Sequence, residues 1–300
     1  MFKTPILFAF YIREDTTIKV FEKIAEIKPA KLYLSSDGAK SQNDQSIVNN
    51  LRNKILSMID WPCIVSKKFN ESNLGCGIGM SSAVSWFFEN EESGIILEDD
   101  CLPSQSFFEY CEELLKFHKD DPEIWHISGS VLFKKENYIP SYYYSVYPGM
   151  WGWATWANKW KKYKFNMSDI DIDIKSYDRY NKNEISFDFW EKIRNDMINN
   201  KIDTWDYQWI FTIWKNNGIC ITPNYNLISN VGFGDLATHT IQDNDIRSKI
   251  SIDELNKIEH PKNKKETYND NILKEKYFSN PKIFNKIFNK IFNKILNNNN

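Results

Sequence analysis

Residues 94–100 read Gly-Ile-Ile-Leu-Glu-Asp-Asp, and no other stretch limits the chain as much. A short apolar run opened by a glycine is the pattern of a buried strand. Three consecutive acids at the end of such a strand have no packing role, so chemistry is the reason to look for. A hard divalent cation binds carboxylate oxygens and bridges them to phosphates that would otherwise be repelled. Glu98, Asp99 and Asp100 are therefore read as a metal-nucleotide site. Successive strand side chains alternate faces, so the three cannot converge on one ion. Asp100, the outermost, is expected as the direct ligand, with Glu98 and Asp99 contacting water, ribose or sugar hydroxyls. A solvated acidic turn is the alternative, and this stretch alone leaves it open.

The frame around the acids alternates strand and helix. Residues 5–11 read as a strand, and Asp15 is placed to cap a helix over 16–27. A second strand over 31–35 ends in Ser36-Asp37-Gly38. A helix over 44–58, a strand over 63–67 and a helix over 79–90 then lead to the acidic strand. This order predicts an α/β fold with a parallel sheet, whose ligands bind at the carboxyl ends of the strands. Asp37 falls at one such end and the acidic triplet at another. Turn chemistry accounts for Asp37 equally well, since Asp-Gly is a common turn pair. Downstream, Ser104 or Ser106 is placed to cap a helix whose apolar face carries Phe107, Tyr110, Leu114 and Phe117. Strands follow at 124–128 and 142–147.

Residues 148–156 read Pro-Gly-Met-Trp-Gly-Trp-Ala-Thr-Trp, which suits neither a clean helix nor a clean strand. Core packing is one reading of these tryptophans. The other is a sugar-ring pocket: Trp151 and Trp153 offer flat faces, and Gly152 permits close backbone approach. A polar stretch over 161–183 is read as a loop and 187–199 as a helix. Residues 203–206, Asp-Thr-Trp-Asp, open another helix that runs to 215. Asp203 suits its N-cap and Asp206 its N3 position. Asp206, beside tryptophans that would wall a pocket, is also a candidate base. After short strands at 219–222 and 226–229, a glycine loop over 230–235 leads to Thr238-His239-Thr240. His239 is either structural or the residue that completes a metal site.

Composition excludes several classes. Thirty-eight Lys plus Arg against 40 Asp plus Glu give a formal charge of -2, without the basic field that nucleic acid requires. Cys63, Cys76, Cys101, Cys111 and Cys220 form no Cys-x-x-Cys pair, so reduced thiols are expected rather than a disulfide framework or a zinc knuckle. No run approaches the roughly 18–20 apolar residues of a membrane span. The apolar run over 5–12 is too short for a secretory signal and passes directly into Arg13-Glu14-Asp15, so the cytoplasm is expected. Residues 246–280 read as a polar extension or linker. Residues 281–300 repeat Lys-Ile-Phe-Asn, with four lysines and no acids. On a helix this puts a broad apolar face beside a lysine stripe, the pattern of a basic amphipathic helix lying on an anionic membrane surface. Packing on the domain or on a partner, or a repeat without a role, are the alternatives.

Residues 94–118 resemble the nucleotide-sugar segment of N-acetylglucosaminyltransferase I, where an acidic triplet precedes a Phe-Phe-Glu-Tyr helix. Asp120-Asp121-Pro122, Tyr147-Pro148-Gly149 with Gly152-Trp153, and Trp205-Asp206 with Trp209 recur in the same order. Bacterial haemolysin-like sugar transferases are similar too, in Trp151-Gly152-Trp153-Ala154-Thr155-Trp156, in 205–209 and in the 230–239 loop. The resemblance spans about residues 4–245. It implies a GT-A type nucleotide-sugar-binding domain over 1–245: a Rossmann-like mixed sheet flanked by helices, with manganese or magnesium as cofactor. Further implied are a nucleoside-diphosphate-sugar donor, a UDP-sugar first among them, and a glycan or other hydroxyl acceptor. By position Asp37 would contact the nucleoside, Glu98 and Asp99 the nucleoside and sugar, Asp100 the metal, and Asp206 would be the inverting base. Where the family has paired aspartates this chain has Asp206-Tyr207, which keeps Asp203 as the second candidate base. No counterpart of the eukaryotic N-terminal anchor is expected, and the basic C-terminal repeat has none in those enzymes. The expectation is an inverting, metal-dependent glycosyltransferase, cytoplasmic or peripheral at the inner face of the membrane. A sugar-nucleotide nucleotidyltransferase and a non-catalytic carbohydrate-binding protein are the competing classes. The first would carry a glycine-rich phosphate loop, which residues 9–13 lack.

Overall fold

The structure is a computed structural model and describes residues 1–131, 140–173, 184–232 and 250–264. Strand β1 (Ile6–Phe10) is followed by helix α1 (Glu14–Ile27), β2 (Lys31–Ser36), α2 (Gln42–Ser57), β3 (Ile64–Phe69), α3 (Gly75–Asn90) and the acidic strand β4 (Ser93–Glu98). Next come β5 (Cys101–Pro103), α4 (Gln105–Phe117), β6 (Ile124–Ser128), β7 (Tyr142–Ser145), β8 (Trp153–Trp156) and the short α5 (Ala157–Trp160). The described chain continues with α6 (Glu184–Ile198), α7 (Asp206–Lys215), β9 (Ile219–Pro223) and β10 (Ile228–Asn230).

Among the described residues, eight strands form one mixed sheet in the order β3-β2-β1-β4-β8-β6-β9-β7, and β10 pairs with β5 beside it. The first four strands run parallel, with Ile6 opposite both Leu32 and Ile95. β8 is antiparallel to β4, and β7 is antiparallel to β9. The fold is thus α/β: its first four strands are parallel, as the alternating pattern predicts, within a Rossmann-like mixed sheet flanked by helices, as the resemblance implies.

Strand parity divides the interior in two. Ile6, Phe8 and Phe10 of β1 and Ile95 and Leu97 of β4 face α1, α2 and α4, packing with Val20, Leu51 and Phe107. Leu7 and Ile96 face α3, α6 and α7, packing with Val84, Ile193 and Trp209. Each large side chain so buried contributes about 1.5–3 kcal/mol relative to exposure. The same parity sends Glu98, in step with Ile96, toward α3 and α7. Asp99 just beyond the strand turns toward β1 and α1.

Three expected helix starts are corrected. α1 begins at Glu14 with Arg13 in the cap position, so Asp15 lies inside the first turn and caps nothing. α3 begins at Gly75, four residues before the predicted start, because carboxylates from elsewhere satisfy its first amides. α7 has Trp205 in the cap position and Asp206 as its first residue, so Asp203 is outside the helix and Asp206 is not at N3. Ser104 does occupy the α4 cap position. Its side chain makes no cap bond; the Glu254 carboxylate instead accepts from the Gln105 and Ser106 amides, 3.0 Å each. That contact ties residues 250–264 to the domain, together with Ser141 N–H donating to the Glu259 carbonyl at 2.8 Å.

Candidate active site

The sheet order places β2 on one side of β1 and β4 on the other, so the chain changes direction between β1 and β4. A crevice outside the carboxyl ends of the strands at such a point is where open α/β sheets take ligands. Tyr11–Arg13 leave β1 there, Asp37 leaves β2, and Glu98–Asp100 leave β4. The position is therefore fixed by topology before any side chain is considered. A separate groove of about 730 Å³ between α4 and residues 255–260 holds none of the candidate residues. Its lining includes Met1 and Lys3, at the opposite end of β1.

The three acids have different surroundings. Asp99 is buried, 5 % exposed; its Oδ2 accepts the Tyr11 N–H at 3.1 Å and its Oδ1 is held by the Arg13 guanidinium. Burial raises the Asp99 carboxyl to about 6, against the lowering effect of Arg13. Arg13 also donates from Nη2 to Asp100 Oδ2 at 3.1 Å. Burial works against the Arg13 charge, but Asp99 and Asp100 more than offset it and keep the guanidinium protonated. Glu98 has no such cation beside it. Burial, then the charges of Asp100, Asp99 and Asp206, push its carboxyl well above the usual range, with Arg13 lowering it only in part.

Asp206 is brought to this cluster from α7. Its Oδ1 accepts the Thr204 hydroxyl at 2.5 Å and its own neighbour's amide, Tyr207 N–H, at 2.8 Å. Cys76 on the first turn of α3 lies among the acids; burial and then the charges of Glu98, Asp206, Asp203 and Asp100 raise its thiol well above its ordinary value. Acids from β4 and α7, more than one hundred residues apart in sequence, thus share one electrostatic environment.

Asp37 sits at the edge with its carboxylate committed to the protein. Oδ1 accepts from Gly38 N–H at 3.0 Å and Asn70 Nδ2 at 3.1 Å, and Oδ2 accepts from Gly75 N–H at 3.1 Å. Leu74 N–H reaches both oxygens at 3.0 Å. Asp37 therefore caps α3 from the end of β2. The tryptophan segment lies along β4: Trp153 is opposite Ile96, which puts Gly152 and Trp151 progressively closer to the acids. Gly152 is buried and Trp151 half-buried. Trp153 is fully buried, stacked between His126 (centroids 5.2 Å apart) and Trp205 (5.4 Å). Its indole N–H has no hydrogen-bond partner among the described residues.

Arg13 is a site residue that the sequence does not single out. The available signal was a lone cation directly after the first strand, at the edge where the acids were expected. Nor does the sequence single out Tyr163, which stacks on Trp160 with centroids 4.3 Å apart and donates to the Trp205 carbonyl at 3.1 Å. Burial and the Asp206 charge raise the Tyr163 hydroxyl, so it stays a donor at neutral pH.

The donor set suits a hard cation shared with a ligand. Among the described residues no three His, Cys, Asp or Glu side chains are grouped to enclose an ion. Asp100 does offer an accessible carboxylate: its Oδ1 takes only the weak Cys101 thiol contact at 3.4 Å. The backbone of Gly232 approaches so closely that an added Cβ would lie 2.5 Å from Asp100 Oδ2 and 2.6 Å from Arg13 Nη1. Asp100 Oδ1, which has only that thiol contact among the described residues, suits a cation that draws its remaining ligands from phosphate and water. His239, the other expected ligand, lies outside the described residues.

No protein-family model matches the chain, and no curated protein matches it. Several solved structures are similar in part. A mannosyltransferase from Pyrobaculum calidifontis, in complex with GDP-Man and Mn2+, is 11% identical with a TM-score of 0.36, over 54% of this chain and 47% of that one. The chain thus spans about half of that enzyme's length. A cytidylyltransferase from Leptospira borgpetersenii is 11% identical with a TM-score of 0.34, over 68% and 75% of the two chains. A 4-diphosphocytidyl-2C-methyl-D-erythritol synthase from Anaerococcus prevotii is 8% identical with a TM-score of 0.32, over 53% and 76%. At these scores the functional reading rests on the chain's own residues. No helix among the described residues is long and apolar enough to cross a membrane.

Proposed function

We propose that the chain is a metal-dependent, inverting glycosyltransferase that moves a sugar from a nucleoside-diphosphate donor, a UDP-sugar first, to a hydroxyl of a glycan or similar acceptor. The observation that carries this reading is the meeting of Asp206 with the Glu98–Asp100 cluster at the β1/β4 crevice. The resemblance of the motif set to N-acetylglucosaminyltransferase I points the same way. Asp37, Trp151, Gly152 and Trp153 remain donor-side residues in this reading, and Asp37 and Trp153 act through the parts they position.

Asp100 would hold manganese or magnesium together with the donor diphosphate, and the ion when bound supplies charge neutralisation to the departing diphosphate. Arg13 adds a fixed positive charge at the same edge, preorganised by Asp99 and Asp100 before substrate arrives. Glu98 would contact a ribose or sugar hydroxyl. On the far side, Asp206 takes the proton of the acceptor hydroxyl as its oxygen attacks the anomeric carbon. The bonds that orient Asp206 both fall on Oδ1, and Oδ2 is the oxygen this reading gives to the acceptor. Base and leaving group on opposite faces of the sugar are the requirement for one-step inversion.

The test is thermal stability of the full chain against UDP-, GDP-, CDP- and dTDP-sugars, with manganese and then with chelator. Stabilisation by one nucleotide class that disappears with chelator supports the reading; a stabilisation of 3 °C or so at saturating donor is about 1 kcal/mol in a chain of this size. Asp100→Ala should remove both that stabilisation and turnover. Asp206→Asn should keep the stabilisation and lower turnover at least about 100-fold. Glycan binding without donor stabilisation or donor cleavage would favour a carbohydrate-binding protein instead.

A further inference from the structure

Asp203 precedes α7 in sequence, yet its carboxylate belongs to the start of α3. Its Oδ1 accepts the Gly77 N–H at 3.0 Å, across 126 residues of chain. The approach depends on two glycines. A Cβ on Gly75, whose φ is +79°, would sit 2.9 Å from Asp203 Oδ2. A Cβ on Gly77 would sit 2.5 Å from Asp203 Oδ1 and 2.9 Å from the Thr204 carbonyl oxygen. Residues 203 and 204 therefore lie directly on the first turn of α3. From there Thr204 Oγ1 donates to Asp206 Oδ1 at 2.5 Å. One unbroken set of contacts thus runs from the Gly77 amide through Asp203 and Thr204 to the Asp206 carboxylate.

We infer that Asp203 is a positioning residue: by capping α3 from another part of the chain it holds Asp206 at the acid cluster. The inference rests on the reading of Asp206 as base, and it assigns Asp203 away from that role. Asp37 caps the same helix through the Leu74 and Gly75 amides, but it belongs to the end of β2 and does not hold α7. Loss of Asp203 and loss of Asp37 are therefore distinguishable at single amides.

The test uses the full chain and two readouts. Residue-resolved hydrogen exchange should show Gly77 protection falling about tenfold in Asp203→Ala, with Leu74 and Gly75 unchanged. Asp203→Asn, which keeps the accepting oxygen, should restore it. With UDP-glucose, UDP-galactose and UDP-N-acetylglucosamine as donors, Asp203→Ala should lower kcat at least tenfold with donor KM within twofold, and Asp203→Asn should recover kcat to within threefold. Gly77→Ala, which keeps both acids but displaces Asp203, should match Asp203→Ala in kcat. An Asn variant as inactive as the Ala variant would overturn the inference, since it would make Asp203 a proton-transfer group. Unchanged Gly77 exchange in Asp203→Ala would overturn it as well. Wild-type turnover in Asp206→Asn, or no turnover of any donor by the natural chain, would instead sink the functional reading, and Gly77 exchange would still decide whether Asp203 is the latch.

Discussion

His126 lies in the middle of β6 with no exposed surface, and its ring bonds leave one tautomer. An indole N–H can only donate, so the 3.2 Å contact from Trp209 Nε1 makes His126 Nδ1 an acceptor. Nε2 then carries the proton and donates to the Gly149 carbonyl at 2.9 Å. Protonating Nδ1 would set two donors against each other inside an aromatic cluster. Burial accordingly lowers the His126 pKa from 6.5 to about 4. A base whose pKa is depressed by folding binds its proton more readily in the unfolded chain. The imidazole therefore costs nothing above pH 6.5 and destabilises the fold progressively as the pH falls from 6.5 toward 4. At pH 5 the unfolded form gains about 2 kcal/mol from this one proton and the folded form almost none, so the net loss is about 2 kcal/mol. Asp99, raised to about 6, acts in the opposite direction over part of this range, so the stability of the natural chain alone does not isolate His126. The difference between the natural chain and His126→Gln does, because distant titrations cancel in it. Urea unfolding at pH 7.5, 6.5, 5.5 and 5.0 should show the stability advantage of the natural chain over the variant shrinking by about 2 kcal/mol across the series. A difference constant to about 0.5 kcal/mol would refute the neutral, doubly bonded imidazole.

Two further substitutions examine the frame of the site. Arg13→Ala strands the buried Asp99 carboxylate, and losing one member of a buried pair costs about 3–5 kcal/mol at neutral pH, measurable by urea unfolding. The double variant Arg13→Ala with Asp99→Ala should recover a good part of that loss; equal losses in both would show that the two side chains are not coupled. Asp37→Ala should cost about 1–2 kcal/mol through the Leu74 and Gly75 amides of α3, and Asp37→Asn distinctly less. A negligible change in Asp37→Ala would mean that the end of β2 does not support that helix.

The parallel half of the sheet was legible because its signals are local. Strands of five or six residues alternate with helices, and the Glu98–Asp100 triplet closes the apolar run of the last of these strands. The glycine and tryptophan segment is a mixed case. Trp153, read as either core or pocket wall, is fully buried, as the pairing of β8 with β4 at the centre of the sheet requires. Nothing in residues 148–156 announces that pairing, which depends on a strand 57 positions earlier that the chain reaches only after β5, α4, β6 and β7. The helix caps failed for a related reason. Asp15 and Asp203 stand where a cap for the following helix would stand, and the rule that assigns caps assumes a partner within three residues. In the folded chain Asp203 finds its partner 126 residues away, while α1 and α7 begin without a side-chain cap.

That exchange of caps has a consequence for how the site is assembled. A helix that supplied its own cap would form its first turn independently of the rest of the chain. α3 instead takes carboxylates from the end of β2 and from the segment before α7, so its first turn is complete only when both have arrived. Its Gly-Cys-Gly-Ile-Gly start has low intrinsic helix propensity, so these external bonds weigh more than they would on an alanine-rich turn. The same turn carries Cys76 among Glu98, Asp100, Asp203 and Asp206. Completion of the first turn and convergence of the acids are thus linked, and the low propensity of the glycine run strengthens that link. Replacing Gly79, where an added Cβ would make only ordinary contact with Asp37 at 3.5 Å, by alanine should raise the intrinsic helicity of that turn by up to about 1 kcal/mol. With the turn stabilised from within, the penalty for Asp203→Ala should be smaller in the Gly79→Ala background. An undiminished penalty would mean that the carboxylate holds α7 without holding α3.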